Sequence, residues 1–416
     1  MHLTVPVALV LGALVLTYAV TGLARWLNVR SLTDYLPAEF AQEFDEAEYG
    51  RSQEYLRAGA RLEWLRESLD LMLVCAFVLL GGLGWLDAWT RSFGFGELAT
   101  GLAYVGALML AQGVLSLPFD VYDTFVLEAR FGFNATTPRL FVMDRLKGLA
   151  LGVVLGGALL AAVLWAYGTL GQWAWLAAWG AITAFTAVMM VVAPVWILPL
   201  FNRFEPLPQG ELRSAIEGYA TGQGFSLGGV FVMDGSKRSA KANAFFTGIG
   251  KRKRISLYDT LIDKMSTSEV LAVLAHEMGH ARLGHIRMGF VLAVAKMGLV
   301  LWVLQLFLGS AGLQEAFGVV RPSAHAGLVL FGLAYQPLAL ALGVAANAWS
   351  RRFEYQADAY AAKTLPDGGA KALATALKTL SRANLSNLTP HRLSVWLHYT
   401  HPPVLDRIRR LTRRPA

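Results

Sequence analysis

Residues 276–280 read His-Glu-Met-Gly-His, two imidazoles four positions apart with a carboxylate beside the first. Wound as a helix, this run puts His276 and His280 one turn apart on one face, where both can reach a single tetrahedral Zn²⁺. Glu277 then stands beside the open coordination position, placed to take a proton from the water that zinc makes acidic near neutral pH. Two histidines leave a catalytic site one ligand short. The metzincin pattern would bring glycine and histidine three and six residues after His280, but Leu283 and Ile286 stand there. His285, read as a continuation of the same helix, falls roughly opposite His276 and is an ordinary polar residue. The third ligand must come from elsewhere. Residues 351–362 also carry helical spacing and place Glu354 and Asp358 one turn apart. Glu354 completes the two-histidine, one-carboxylate set of catalytic zinc peptidases, with a fourth position left for water. Asp358 suits the acceptor for the free N–H of a ligating histidine. Alone, such a pair is more often a solvated helix face; its coexistence with the histidine motif is what points to a metal site.

These side chains need elements to hold them. Ser266 and Glu269 form a capping box ahead of an apolar stripe of Val270, Leu271, Val273 and Leu274, which predicts the helix that carries both histidines. Upstream, residues 230–233, 243–248 and 254–258 read as short strands. Asp234-Gly235 and the stretch 248–250 supply turn residues between them, and a small antiparallel sheet is expected.

The chain as a whole has 416 residues, 55% apolar and only 16% charged. A soluble domain carries about 25% charged residues, so a polytopic membrane protein is expected. The single cysteine, Cys75, excludes an internal disulfide and any cysteine-built zinc or iron–sulfur site. Seven spans fit the roughly 20-residue requirement: 3–24, 69–90, 98–119, 148–168, 173–200, 289–310 and 324–348. With this alternation, all but Arg25, Arg91, Lys296 and Arg321 of the 37 lysines and arginines fall in the segments 28–68, 120–147, 201–288 and 349–416. The positive-inside rule places those segments in the cytoplasm and the N-terminus outside. The net charge of +8 is therefore topology, and no nucleic-acid partner is expected. The basic run 251–254 reads as a solvated hairpin turn near anionic headgroups. The organisation predicted is a membrane bundle over 1–200, a cytoplasmic protease segment over 201–288, spans six and seven within 289–348, and a cytoplasmic segment over 349–416 that carries the third ligand.

The chain resembles the integral-membrane zinc endopeptidases of the CAAX prenyl protease type I family and their bacterial relatives. The likeness rests on His276-Glu277-Met278-Gly279-His280, Glu354-Tyr355-Gln356-Ala357-Asp358 and Asn243-Ala244-Phe245-Phe246-Thr247-Gly248. It extends to Phe131-Gly132-Phe133-Asn134, the segment 199–206, and His401-Pro402-Pro403 followed by Arg407. The resemblance implies seven helices around an intramembrane chamber with an inward-facing site that holds one Zn²⁺. It implies that Asn243 and the strand after it, Ala244 and Phe245, hold substrate backbone, and that His401 stabilises the tetrahedral intermediate. On the residues alone, His401-Pro402-Pro403 is equally an ordinary turn, and Arg407 is either a helix-surface charge or a brace for the site.

The expected function is a zinc-dependent membrane endopeptidase acting on a peptide or protein substrate, with the lipid bilayer as surroundings. Two substrate classes fit: isoprenylated C-termini, or membrane proteins removed in quality control without a prenyl group. A transporter or a structural zinc scaffold is the non-enzymatic alternative. The former would show paired broken helices, and the latter a site closed by four ligands. With no retrieval motif at its C-terminus, a bacterial plasma membrane is expected, an ER membrane being the alternative.

Overall fold

The computed structural model describes residues 3–247, 253–366 and 368–413. Five helices are long and apolar enough to cross a membrane: α1 (Val5–Arg30), α4 (Glu97–Glu128), α5 (Pro138–Thr169), α6 (Gly171–Phe201) and α9 (His285–Leu308). Two bent pairs bring the number to seven: α2 (Glu46–Leu79) with α3 (Gly82–Arg91), bent by 68°, and α10 (Ala324–Ala334) with α11 (Gln336–Thr364), bent by 60°. The expected spans over 69–90 and 324–348 are thus each broken. In the second pair the cause is Pro337, which supplies no N–H to the preceding turn and presses on the backbone before it. None of the apolar window of α6 is buried inside the protein. An apolar helix so naked needs lipid around it.

Between α6 and α9 the chain forms α7 (Glu211–Gly222), α8 (Thr267–Arg282) and a sheet; after α11 come α12 (Gly369–Ala383), α13 (Arg392–His398) and α14 (Val404–Thr412). The sheet corrects the sequence reading. Its strands are β1 (Phe204–Pro206), β2 (Leu227–Met233), β3 (Ala244–Thr247) and β4 (Lys253–Tyr258), in the order β1-β2-β4-β3. β1 was not expected, and β2 runs parallel to β4, so the sheet is mixed rather than antiparallel. The reason is the connection from Met233 to Ala244, too long for a hairpin turn. It is drawn away from β2 by backbone bonds from Ala135 N–H to the Arg238 carbonyl and from Ala240 N–H to the Phe133 carbonyl, and β3 lands beyond β4. The expected turn at 248–250 lies outside the described residues, as does the start of the basic run 251–254.

One core sits beneath this sheet. Ile255 and Leu257 alternate inward from β4 and meet Val270, Leu274 and Ala275 of α8, Leu373 and Leu377 of α12, and Leu405 and Ile408 of α14. Burial of these side chains, each contributing roughly 1.5–3 kcal/mol, fixes α8 between the sheet and the C-terminal helices. The membrane bundle has its own cluster, with Val7 and Val10 of α1 against Leu83, Leu86 and Tyr104.

Candidate metal centre

α8 begins as its sequence predicts. The Ser266 hydroxyl accepts from Glu269 N–H, and the Glu269 carboxylate accepts from Ser266 N–H. The helix then carries His276 and His280 along one face onto α11, and the two helices touch backbone to backbone. A Cβ added at Gly279 would lie 3.2 Å from the Ala357 Cα and carbonyl oxygen and 3.1 Å from the Tyr360 ring. Only glycine permits that approach without displacing its neighbours.

Across this contact His276, His280 and Glu354 converge, with one donor atom from each lying within 4.8 Å of the others. His276 Nε2 and His280 Nε2 are 3.2 Å apart. Glu354 Oε2 lies 3.4 Å from His276 Nε2, and Oε1 lies 3.2 Å from His280 Nε2. Donors held 2.0–2.1 Å from a tetrahedral ion are about 3.3–3.4 Å from one another, so this set fits zinc. Glu354 Oε2 supplies a second test, because it is buried and accepts no hydrogen bond among the described residues. A carboxylate oxygen left so would be costly; facing a cation it is accounted for.

The surrounding groups orient these donors. His276 Nδ1 is 2.8 Å from Asp358 Oδ1. Asp358 in turn receives Arg407 through Nε at 2.8 Å and Nη2 at 2.6 Å, and Arg407 Nη1 stands 3.5 Å from Glu354 Oε2. Arg407 is buried, so its alternative as a surface charge is excluded. Burial disfavours a charged His276, yet Asp358 and Glu354 outweigh it and hold its pKa up to about 9 in the metal-free chain. Burial likewise raises the Glu277 carboxyl above its ordinary range, opposed by the neighbouring histidines. His401 sits on the open side, its side chain 63% exposed, with Nε2 3.4 Å from Glu354 Oε1. Its Nδ1 shares a hydrogen bond with the Thr400 hydroxyl.

β3 lies at the sheet edge and packs on α8. Ala244 pairs with Leu257 and Phe245 with Ser256. The Asn243 carbonyl accepts from Tyr258 N–H, so strand alternation turns Ala244 N–H away from β4, where the Asn243 side chain caps it at 2.8 Å. The structure therefore gathers the expected ligands, Asp358, Arg407 and His401 around one point, with Asn243, Ala244 and Phe245 on the adjacent edge.

His285 is a correction. It is neither on α8 nor solvated: α8 ends at Arg282, Gly284 takes a left-handed conformation (φ 75°), and α9 starts at His285. The turn folds His285 back so that its Nδ1 is 3.1 Å from His280 Nδ1, while its Nε2 is 2.9 Å from Gln356 Oε1 and its ring stacks on Phe353. The missed signal was Gly284 itself, a helix-stop residue just past the periodic run.

A two-histidine, one-carboxylate centre built on a helix that leads into one span and a helix that extends another defines a membrane metallopeptidase of the HExxH type. Residues 25–203 match the family described as CAAX prenyl protease N-terminal, five membrane helices, and residues 206–415 match peptidase family M48. The chain belongs to the CAAX prenyl protease branch of peptidase family M48. It is 36% identical to a CAAX prenyl protease 1 homolog of Oryza sativa subsp. japonica, over 90% of this chain and 89% of that one. It is 34% identical to the Arabidopsis thaliana homolog, over 92% and 93% of the two chains. The crystal structure of S. mikatae Ste24p superposes with a TM-score of 0.91 at 30% identity, covering 98% of this chain and 99% of that one. The chain is thus a multi-pass membrane endopeptidase that works with a metal.

Proposed function

We propose that the chain is a zinc endopeptidase that cleaves near the C-terminus of prenylated proteins, with its site at the cytoplasmic side of the membrane. The observation that carries this reading is the convergence of His276, His280 and Glu354 at tetrahedral spacing in a member of the CAAX prenyl protease family. These three residues would hold one zinc ion. When bound, zinc supplies Lewis acidity, making a water acidic enough to attack and polarising the scissile carbonyl. Glu277, one residue along α8, accepts the proton of the attacking water on its carboxylate and returns it to the leaving amine. His401 Nε2, on the open side, donates to the oxyanion that develops on the substrate. Asp358 fixes the His276 ring through Nδ1, and Arg407 fixes Asp358.

Substrate adds to the free edge of β3 as an extended strand, its main chain bonding to the backbone at Ala244 while the Phe245 strand residue keeps the register with β4. The Asn243 side chain, which caps Ala244 N–H, moves aside or relays that bond. The segments 201–288 and 349–416 form the peptidase unit, and 1–200 with 289–348 form the bundle. Sidedness rests on the distribution of lysine and arginine. The relatives named above are eukaryotic, so they lend the bacterial plasma membrane no support of their own.

The test uses purified wild type and Glu277→Gln. Zinc is measured by mass spectrometry, and cleavage is followed on matched peptides with and without a prenyl group. Both proteins should carry one zinc per chain, with turnover of the prenylated peptide reduced about 10²–10⁴-fold in the variant. Equal turnover by both proteins would end the mechanism. Equal cleavage of the two peptides would remove prenylation as a requirement and favour quality-control proteolysis.

A further inference from the structure

His276 and His280 stand in different surroundings. His276 turns its second nitrogen to a carboxylate, Asp358. His280 turns its second nitrogen to another imidazole, since Nδ1 lies 3.1 Å from His285 Nδ1. Two ring nitrogens can bond only if one carries the hydrogen and the other a lone pair, and the far side of His285 decides which. Its Nε2 lies 2.9 Å from Gln356 Oε1. An amide oxygen only accepts, so His285 Nε2 carries the hydrogen. In the neutral ring Nδ1 is then a bare acceptor, and His280 must donate to it from Nδ1. That leaves His280 Nε2 unprotonated, with its lone pair aimed at His276 Nε2 and Glu354 Oε1, both 3.2 Å away. The reverse order, with a donor at Gln356, would put a hydrogen on the very atom that has to bind metal.

We propose that Gln356 and His285 form a positioning relay that holds His280 in the one tautomer able to ligate zinc. This rests on the reading of His280 as a ligand and extends it by two residues outside the ligand set. The fold builds the relay with care. His285 is buried, reached through the left-handed Gly284, and clamped flat on Phe353 with ring centroids 4.1 Å apart and planes 11° apart. Phe353 and Gln356 are three residues apart on one side of α11, while Glu354 and Asp358, four apart, serve the other. A single turn of α11 thus supplies the third ligand, the acceptor for His276 and the origin of the relay for His280. A ligand histidine lacking its outer hydrogen-bond partner loses metal affinity, commonly by 10–100-fold.

The experiment measures the zinc dissociation constant of the full-length protein in detergent, by competition with a chelator of known affinity, for wild type, His285→Phe, Gln356→Met and Gln356→Glu. His285→Phe keeps a flat ring against Phe353 but offers no acceptor. Gln356→Met keeps the length without the oxygen, and Gln356→Glu keeps the oxygen. Zinc binding should weaken about 10–100-fold in the first two and stay within about threefold of wild type in the third. Wild-type affinity in both His285→Phe and Gln356→Met would overturn the relay, as would a loss in Gln356→Glu equal to that in Gln356→Met. If His285→Phe elutes as aggregate, the contrast between the two Gln356 variants decides. His280→Ala separates the underlying reading: full zinc occupancy there would sink the ligand assignment, and the relay with it.

Discussion

At the centre of the site, the buried Glu354 Oε2, which accepts no hydrogen bond among the described residues, shows how much of this chemistry is decided atom by atom. Leaving a buried polar atom unmet costs about 1–3 kcal/mol, and more for a charged one; Arg407 Nη1 at 3.5 Å and His276 Nε2 at 3.4 Å offset part of that cost, and a metal cation held between the donors would meet the rest. Glu354→Gln keeps the volume and removes the charge. Zinc content by mass spectrometry should fall well below one per chain, and full occupancy would remove Glu354 from the ligand set. Asp358 and Arg407 call for a paired comparison. Asp358→Asn preserves shape but weakens the hold on His276 Nδ1, and zinc affinity should fall about 10–100-fold. Arg407→Met leaves Asp358 buried without its bidentate partner. A broken buried pair costs about 3–5 kcal/mol, so this variant should lose thermal stability even when saturated with zinc. Equal melting behaviour of Arg407→Met and wild type would show Arg407 to be dispensable as a brace.

At the scale of elements, α8 is fixed by its cap at one end and its crossing with α11 at the other. Burial alone would raise the Glu269 carboxyl, but hydrogen bonds with Thr379 and Ser266 outweigh it and hold its pKa below the ordinary value. A depressed pKa in the folded state contributes stability above the unfolded value, and that contribution is lost as pH falls through the folded one. Glu269→Gln should therefore be less stable than wild type at pH 7, by about 1 kcal/mol, and the gap in melting temperature should close on acidification. A gap that stays constant with pH would assign the effect to packing. At the other end, Gly279→Val places a branched side chain where even a Cβ meets backbone at 3.2 Å. Overpacking costs about 1–3 kcal/mol, and here it also moves His280 away from Glu354, so zinc and stability should fall together. The cap, the histidine face and the Glu354–Asp358 spacing were all legible, because each is written within one helical turn. The sheet order and His285 were not. Strand neighbours depend on where a ten-residue connection is pinned by Phe133, far away in sequence, and His285 depends on one left-handed residue that ends a helix whose periodicity continues past it.

Across the whole molecule, the site is coupled to the bilayer through continuous backbone. Only Leu283 and Gly284 separate α9 from the end of α8, and α11 carries Glu354 on the same helix that begins at the membrane bend. The orientation of the bundle therefore decides which compartment supplies substrate. Composition made the membrane legible, whereas the bends at Leu80–Gly81 and at Pro337 were masked by apolar runs that read as straight spans. Charge argues the orientation. On the expected outer side only Arg91 and Arg321 remain, and Arg91 is already engaged, donating to Asp87 at 2.9 Å and to Glu97 at 2.7 Å. The segments expected inside hold nearly all the other basic residues, and lysine and arginine bias of this kind is what sets topology. Cys75 can be replaced by serine and new cysteines placed at Gln209 and at Val320, both exposed and on opposite sides of the expected membrane. In intact cells or sealed vesicles, a membrane-impermeant maleimide should label Val320→Cys from the outer or lumenal face and reach Gln209→Cys only from the cytoplasmic face. The opposite pattern would invert the molecule and put the metal centre on the outer or lumenal side. Labelling of both from one side would mean that neither α9 nor the bent pair α10–α11 crosses the membrane.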